Sequence, residues 1–182
     1  METGRIIMES DRFALTVQRL CHQLIEQYDD FSNACVVGVQ NRGVWLSQLV
    51  VDSLAEFQVQ AVKHGKLDIT FYRDDFRTRE KPLRAHSTDM PFLLEGLDVV
   101  LVDDVLYTGR TIQAALTALN HYGRPKSVSL LVMVDRQFNR HLPIQADFTG
   151  IRVDALDEAY VQVEFEQHHG KDLIILFPQK PA

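Results

Sequence analysis

Thirteen consecutive residues, Val99-Val100-Leu101-Val102-Asp103-Asp104-Val105-Leu106-Tyr107-Thr108-Gly109-Arg110-Thr111, hold an apolar run, an acidic pair, a glycine turn and a helix start in that order. The run has the composition of a central parallel strand buried on both faces. In open α/β sheets, ligands bind just beyond the carboxyl ends of such strands. The turn Tyr107 to Thr111 opens a helix expected over Thr111–Tyr122, so unpaired N–H groups and two threonine hydroxyls converge on one small volume suited to phosphate. Adjacent carboxylates would repel a phosphate, yet they accept hydrogen bonds from a vicinal diol. Asp103, Asp104 and the turn together therefore point to one ligand carrying both parts, a ribose 5-phosphate. An ordinary βα junction with Asp104 near the helix cap is the competing reading. No Gly-x-x-x-x-Gly-Lys-[Ser/Thr] sequence occurs, so this is not a Walker P-loop.

A second junction of the same kind precedes it. Ala34–Val39 reads as a buried strand, Gln40-Asn41-Arg42-Gly43 as a loop, and Val44–Ala55 as a helix. Gly43 permits close backbone approach and Arg42 supplies a permanent cation for phosphate oxygens. Upstream, Ser10 is the expected N-cap of a helix ending near Asp29-Asp30, with Phe13, Val17, Leu20, Leu24 and Tyr28 on its apolar stripe and Ala14, Cys21 and Ile25 widening it. Arg12, Arg19 and His22 share part of its exposed side. Gln58–Val62 and Leu67–Tyr72 read as strands joined through Lys63–Lys66, and the polar segment from Tyr72-Arg73-Asp74-Asp75 to about Met90 as a mobile loop. Ser127–Val134 is a further buried strand ending in Asp135-Arg136. Short runs at Leu142–Phe148, Tyr160–Phe165 and Asp172–Phe177 then suggest an antiparallel extension, with His168-His169 as a polar turn before the last of them.

The β-α-β rhythm gives an α/β class, and 182 residues with 46% hydrophobic content give one domain over 1–182. A net charge of −6 argues against wholesale non-specific nucleic-acid binding, although a local basic patch is compatible with it. Cys21 and Cys35 lack metal-ligand spacing and read as buried reduced thiols. No membrane span or signal-peptide core is apparent, so the expected location is cytoplasmic.

The string Asp103 to Thr111 resembles the phosphoribosyl pyrophosphate (PRPP) signature of the type I phosphoribosyltransferases. Its Asp-Asp-Val-Leu-Tyr-Thr-Gly-Arg-Thr form is similar to that of the PyrR family, pyrimidine-operon attenuators that are also uracil phosphoribosyltransferases. Leu67 to Asp75 likewise resembles that family's strand entering the active-site loop, and the likeness runs from Ser10 to Phe177. It implies a type I phosphoribosyltransferase fold: a central, mostly parallel sheet flanked by helices, a lid over about 73–91 and a small antiparallel hood over about 137–177. It also implies Asp103, Asp104 and Arg42 as catalytic residues. PRPP or nucleotide would be held by Asn41, Gly43, Val105, Leu106, Tyr107, Thr108, Gly109, Arg110 and Thr111, with Tyr72, Arg73, Asp74 and Asp75 in the lid and Val161 and Gln162 near the base. Mg²⁺ would arrive with PRPP, held largely by substrate oxygens and water.

The implied partners are PRPP, uracil, UMP and UTP, a pyrimidine-operon mRNA leader stem-loop, and further copies of the chain in a homodimer or higher oligomer. For RNA the resemblance points to Arg12, Arg19, His22, Arg136, Arg140 and His141. Three departures stand out. Asn41 replaces the family's usual threonine, and Tyr107 stands where purine-specific relatives of the hypoxanthine type place an aspartate. Arg136 to Lys171, with four Arg/Lys and six Asp/Glu, puts Gln145, Asp154, Asp157 and Glu158 where a more basic stretch is typical. The readings left open are a bifunctional regulator and enzyme, a PyrR-like enzyme with RNA binding altered or lost, and a nucleotide sensor.

Overall fold

The computed structural model describes residues 4–74, 87–155 and 158–180; Asp75 and the interior of the expected lid lie outside them. The apolar runs pair as their composition demands. Ala34–Val39 (β2), Asp98–Leu106 (β4) and Ser127–Arg136 (β5) form the middle of a five-stranded parallel sheet, flanked by Lys63–Leu67 (β3) and Phe148–Val153 (β6) in the order β3-β2-β4-β5-β6. Alternate residues of β4 face opposite layers. Val100 and Val102 pack with Phe13, Leu20 and Leu24 of the helix Ser10–Tyr28 (α1) and with Leu46, Val50 and Leu54 of Arg42–Glu56 (α2). Val99 and Leu101 pack with Ile112, Ala115 and Leu119 of Arg110–Leu119 (α3) on the other side. A second, antiparallel sheet joins the N-terminal Arg5–Met8 (β1) to Leu173–Phe177 (β8) and Tyr160–Glu164 (β7), in the order β1-β8-β7. No helix among the described residues is long and apolar enough to cross a membrane.

Several local expectations change. Helix α1 begins at Ser10 itself, with Glu9 as the extended cap residue; the Ser10 hydroxyl donates instead to the Asp172 carbonyl at 2.9 Å. Ala14 is exposed, while Thr16 is buried and donates to the Arg12 carbonyl at 2.7 Å. Gln58–Val62 is not a strand: Gln58 and Ala61 adopt positive φ, 68° and 60°, which no strand tolerates. The strand is the supposed connector, Lys63–Leu67. It is an edge strand, so its outward residues are polar and mask the pattern. After it, the Asp68 carboxylate accepts from the Thr70 N–H and hydroxyl and turns Thr70–Tyr72 into a 3-10 turn. In the C-terminal third, Phe148–Val153 extends the main sheet parallel to β5, so the antiparallel sheet draws only on residues from Tyr160 onward and on β1.

Candidate active site

The carboxyl ends of β2 and β4 lie side by side, and each runs into a loop and then a helix. At the end of β4, Gly109 takes φ 91°, a left-handed conformation that reverses the chain into α3. Its neighbours Tyr107, Thr108, Arg110 and Thr111, with Asp103, line a pocket of about 480 Å³ at the N-terminus of that helix. Ile112, which sequence reasoning did not single out, completes the lining. The positive end of the α3 dipole therefore faces a polar cavity, with the Arg110 N–H donating to the Thr108 hydroxyl at 3.4 Å.

β4 continues through the acidic pair, and the adjacent carboxyls of Asp103 and Asp104 lie within hydrogen-bonding reach of each other. Asp103 lines the pocket, while Asp104 lies 3.8 Å from the Arg42 guanidinium. Asp103 accepts the Asp104 N–H at 3.0 Å, and Asp104 the Val105 N–H at 2.9 Å. Burial, reinforced by the neighbouring Asp104 charge, pushes the Asp103 carboxyl well above the usual carboxylate range. Burial also raises Asp104, with Arg42 opposing it. Gly43 seats α2 against this strand end, since a Cβ there would collide with the Val102 carbonyl oxygen. Asn41 sits exposed at the helix cap without a side-chain capping bond.

Of the expected lid residues, Arg73 and Asp74 reach the pocket: Arg73 donates to the Thr111 hydroxyl at 3.5 Å, and Asp74 pairs with Arg110. Tyr72 is exposed beside His121, ring centroids 5.6 Å apart, and Asp75 lies outside the described residues. The two residues expected near the base do not line the pocket. Val161 is 4% exposed within the core, and the Gln162 amide donates to Glu164. Alternation in β7 sends the Val161 side chain inward.

The expected cationic face is also thinner than its sequence. Arg136 is buried, with its guanidinium 3.9 Å from the Tyr107 ring centroid, so it is not part of an exposed cationic surface. Arg140 is half-buried and pairs with Asp135. Arg19 donates to the edge carbonyls of Thr149 and Gly150 in β6, at 3.1 and 2.7 Å. His22 packs on Phe57, while Arg12 and His141 are exposed. His168 stacks on Trp45 at 3.8 Å, and His169 accepts the Phe165 N–H, so the His-His pair is a structural turn. Sequence reasoning also missed a second cavity, of about 510 Å³, beyond the end of β5 between Asp135, Arg136, Phe138, Arg140 and Arg152. The strand-end rule, applied to β5 as it was to β4, would have flagged it.

A parallel sheet with an anion turn and carboxylates at one strand end, and an arginine loop at the next, defines the phosphoribosyltransferase class. The phosphoribosyl transferase domain family matches residues 6–167. In fold alone, the chain is similar to the hypoxanthine phosphoribosyltransferase of Trypanosoma cruzi, with a TM-score of 0.72 at 18% identity over 96% of this chain and 97% of that one. Within the class, it is 41% identical over 158 residues to the bifunctional protein PyrR of Enterococcus faecalis (87% of this chain, 88% of that one). It is 41% identical over 170 residues to that of Picosynechococcus (93% and 95%) and 39% identical over 171 residues to that of Deinococcus radiodurans (94% and 93%). The chain belongs to the PyrR family.

Proposed function

We propose that the protein transfers the 5-phosphoribosyl group of PRPP to uracil, giving UMP and pyrophosphate, and that a bound uridine nucleotide promotes its binding to a pyrimidine-operon mRNA leader and hence transcription attenuation. The observation that carries the enzymatic half is the grouping at the end of β4: the anion turn and Asp103 in one pocket, with Asp104 against Asp103 and 3.8 Å from Arg42. The turn receives the 5-phosphate and the adjacent carboxylates receive the ribose diol. Arg42 faces the departing pyrophosphate. As the bond from ribose C1 to pyrophosphate breaks, positive charge builds on the ring and negative charge on the leaving group, and preorganised donors around the latter lower the barrier. Uracil N1 forms the new bond to C1 as the C1–O bond to pyrophosphate breaks, and the N1 proton passes to the departing pyrophosphate or to solvent. Tyr107 puts a phenol where purine-specific relatives place an aspartate, so the carboxylate that meets a purine nitrogen is lacking, which supports uracil over purines.

The donor set fits a magnesium ion that arrives with the substrate. Asp103 and Asp104 offer hard oxygens at the pocket but too few for a protein cage, so these two would hold the ion through water and the diol. Magnesium, when bound, neutralises charge on the pyrophosphate. Labelled uracil incubated with PRPP and Mg²⁺ tests the activity, and no UMP at any pH from 6 to 9 removes it. The second reading, a family member with altered RNA binding, is favoured by Arg136 and Arg140 turning inward. A uridine-nucleotide-stimulated, salt-dependent shift of a leader stem-loop separates the two, because RNA contact depends on cationic residues. The absence of any shift at low salt favours the second.

A further inference from the structure

The turn that faces the phosphate pocket is held from behind by one short segment. The Tyr107 carbonyl accepts a hydrogen bond from the Arg140 guanidinium, and the Thr108 carbonyl accepts both the His141 N–H at 3.0 Å and the Leu142 N–H at 3.2 Å. In a planar trans peptide the C=O and the following N–H point in opposite directions. Drawing the Tyr107 carbonyl toward Arg140 therefore turns the Thr108 N–H away from it, and drawing the Thr108 carbonyl toward residues 141 and 142 does the same to the Gly109 N–H. The side away from that segment is the pocket lined by Thr108 and Gly109. Leu142 and Ile144 close the rear, each 3.3 Å from where a Gly109 Cβ would stand.

Arg140 is itself anchored in the sheet. Its guanidinium pairs with Asp135, which is 8% exposed and sits beside Leu106 in the β4–β5 register. Gln137 occupies the other carboxylate oxygen at 2.9 Å. The planar fork of arginine suits this bridge, because it presents donors in two fixed directions at once. We propose that Arg140 is a positioning residue for the phosphate site: it ties the end of β5 to the Tyr107 carbonyl and, with the 141–142 backbone, presets the amides that receive the ligand's phosphate. This role differs from the exposed RNA contact that resemblance assigns to Arg140, and it rests on the phosphate reading of the turn.

The test compares a ligand that carries the phosphate with one that does not. UMP, ribose 5-phosphate and uridine are titrated by calorimetry, uridine by displacement of UMP, into wild type and into Arg140→Met, Arg140→Gln and Arg140→Lys, with each variant's fold checked by circular dichroism. A general loosening weakens uridine and UMP alike, whereas misaimed amides weaken only the phosphate-bearing ligands. Arg140→Met is expected to weaken UMP and ribose 5-phosphate by about tenfold and to leave uridine unchanged. In kinetics the KM for PRPP should rise more than kcat falls. Arg140→Lys should recover part of the loss, since an ammonium still reaches one partner. If Arg140→Met does not fold, Arg140→Gln carries the same comparison. An unchanged UMP-to-uridine ratio in a folded variant overturns the proposal, and loss of leader-RNA binding with intact UMP affinity overturns it in favour of direct RNA contact. Wild-type protein that binds neither UMP nor ribose 5-phosphate fails the underlying site reading instead.

Discussion

Asp103→Asn should make the protein slower and more stable at once. Asp103 is 7% exposed, and its carboxyl lies well above the usual carboxylate range because burial and the adjacent Asp104 charge both disfavour ionisation. A group whose folded-state pKa exceeds its unfolded one contributes stability that is fully present below the unfolded value, near 3.8, and lost as pH rises through the folded value. At pH 7 the wild type therefore carries a penalty that asparagine, neutral at every pH, does not. Asn also keeps the oxygen that accepts the Asp104 N–H, so packing is unchanged. Relief of a functionally strained group is worth about 1–2 kcal/mol, and 1 kcal/mol moves the Tm of a chain of this length by roughly 2–4 °C. Thermal melts of ligand-free protein from pH 3 to pH 8 should show the variant above wild type at pH 7, with the gap closing toward pH 3. Turnover should fall by at least about tenfold through loss of a charged hydrogen bond to the diol. A variant that melts below wild type at pH 7 would refute the reasoning, since it would mean that Asp103 is ionised and paired in the native state.

Asp104→Asn should lose turnover similarly but gain less stability, because Arg42 already favours the charged form; the same melts compare the two. Gly109→Ala places a side chain at φ 91° and should cost about 1–2 kcal/mol along with much of the UMP affinity, read by melting and calorimetry. Gly43→Ala drives a Cβ into the Val102 carbonyl and should cost about 1–3 kcal/mol, with turnover falling as the first turn of α2 lifts Arg42 from Asp104. Burial pushes the Cys21 thiol up to about 11 and Cys35 up to about 12, so iodoacetamide at pH 8 should label both only after denaturation. Labelling of the native protein at the free-thiol rate contradicts their burial. Arg12→Ala should weaken leader-RNA binding uniformly and lower its salt slope by about 1, if the exposed face of α1 meets RNA phosphates.

What the sequence disclosed depended on contiguity. Strands β2, β4 and β5 are buried on both faces and announce themselves as apolar runs, and each junction that follows is read from adjacent residues. Edge strand β3 hid because Lys63, His64 and Lys66 carry the polar chemistry of an edge, with His64 turned to hydrogen-bond Ser47 at 2.8 Å. β6 looked like part of the hood because nothing local distinguishes a fifth parallel strand from an antiparallel one; only its register with β5 decides. The cationic residues were legible as residues but not in their direction, since Arg136 stacks on Tyr107 and Arg140 bridges Asp135 to a carbonyl 33 positions away.

The acidic pair shows how one strand serves two loops. The two carboxyls lie within hydrogen-bonding reach of each other, yet Asp103 lines the cavity at the anion turn while Asp104 lies beside Arg42. Each also accepts the backbone N–H of the residue that follows it, which fixes both at the strand end. The alternation that buries Val100 and Val102 on one side of β4, and Val99 and Leu101 on the other, holds the strand between two layers, so the packing that keeps it in place also fixes the geometry of the site.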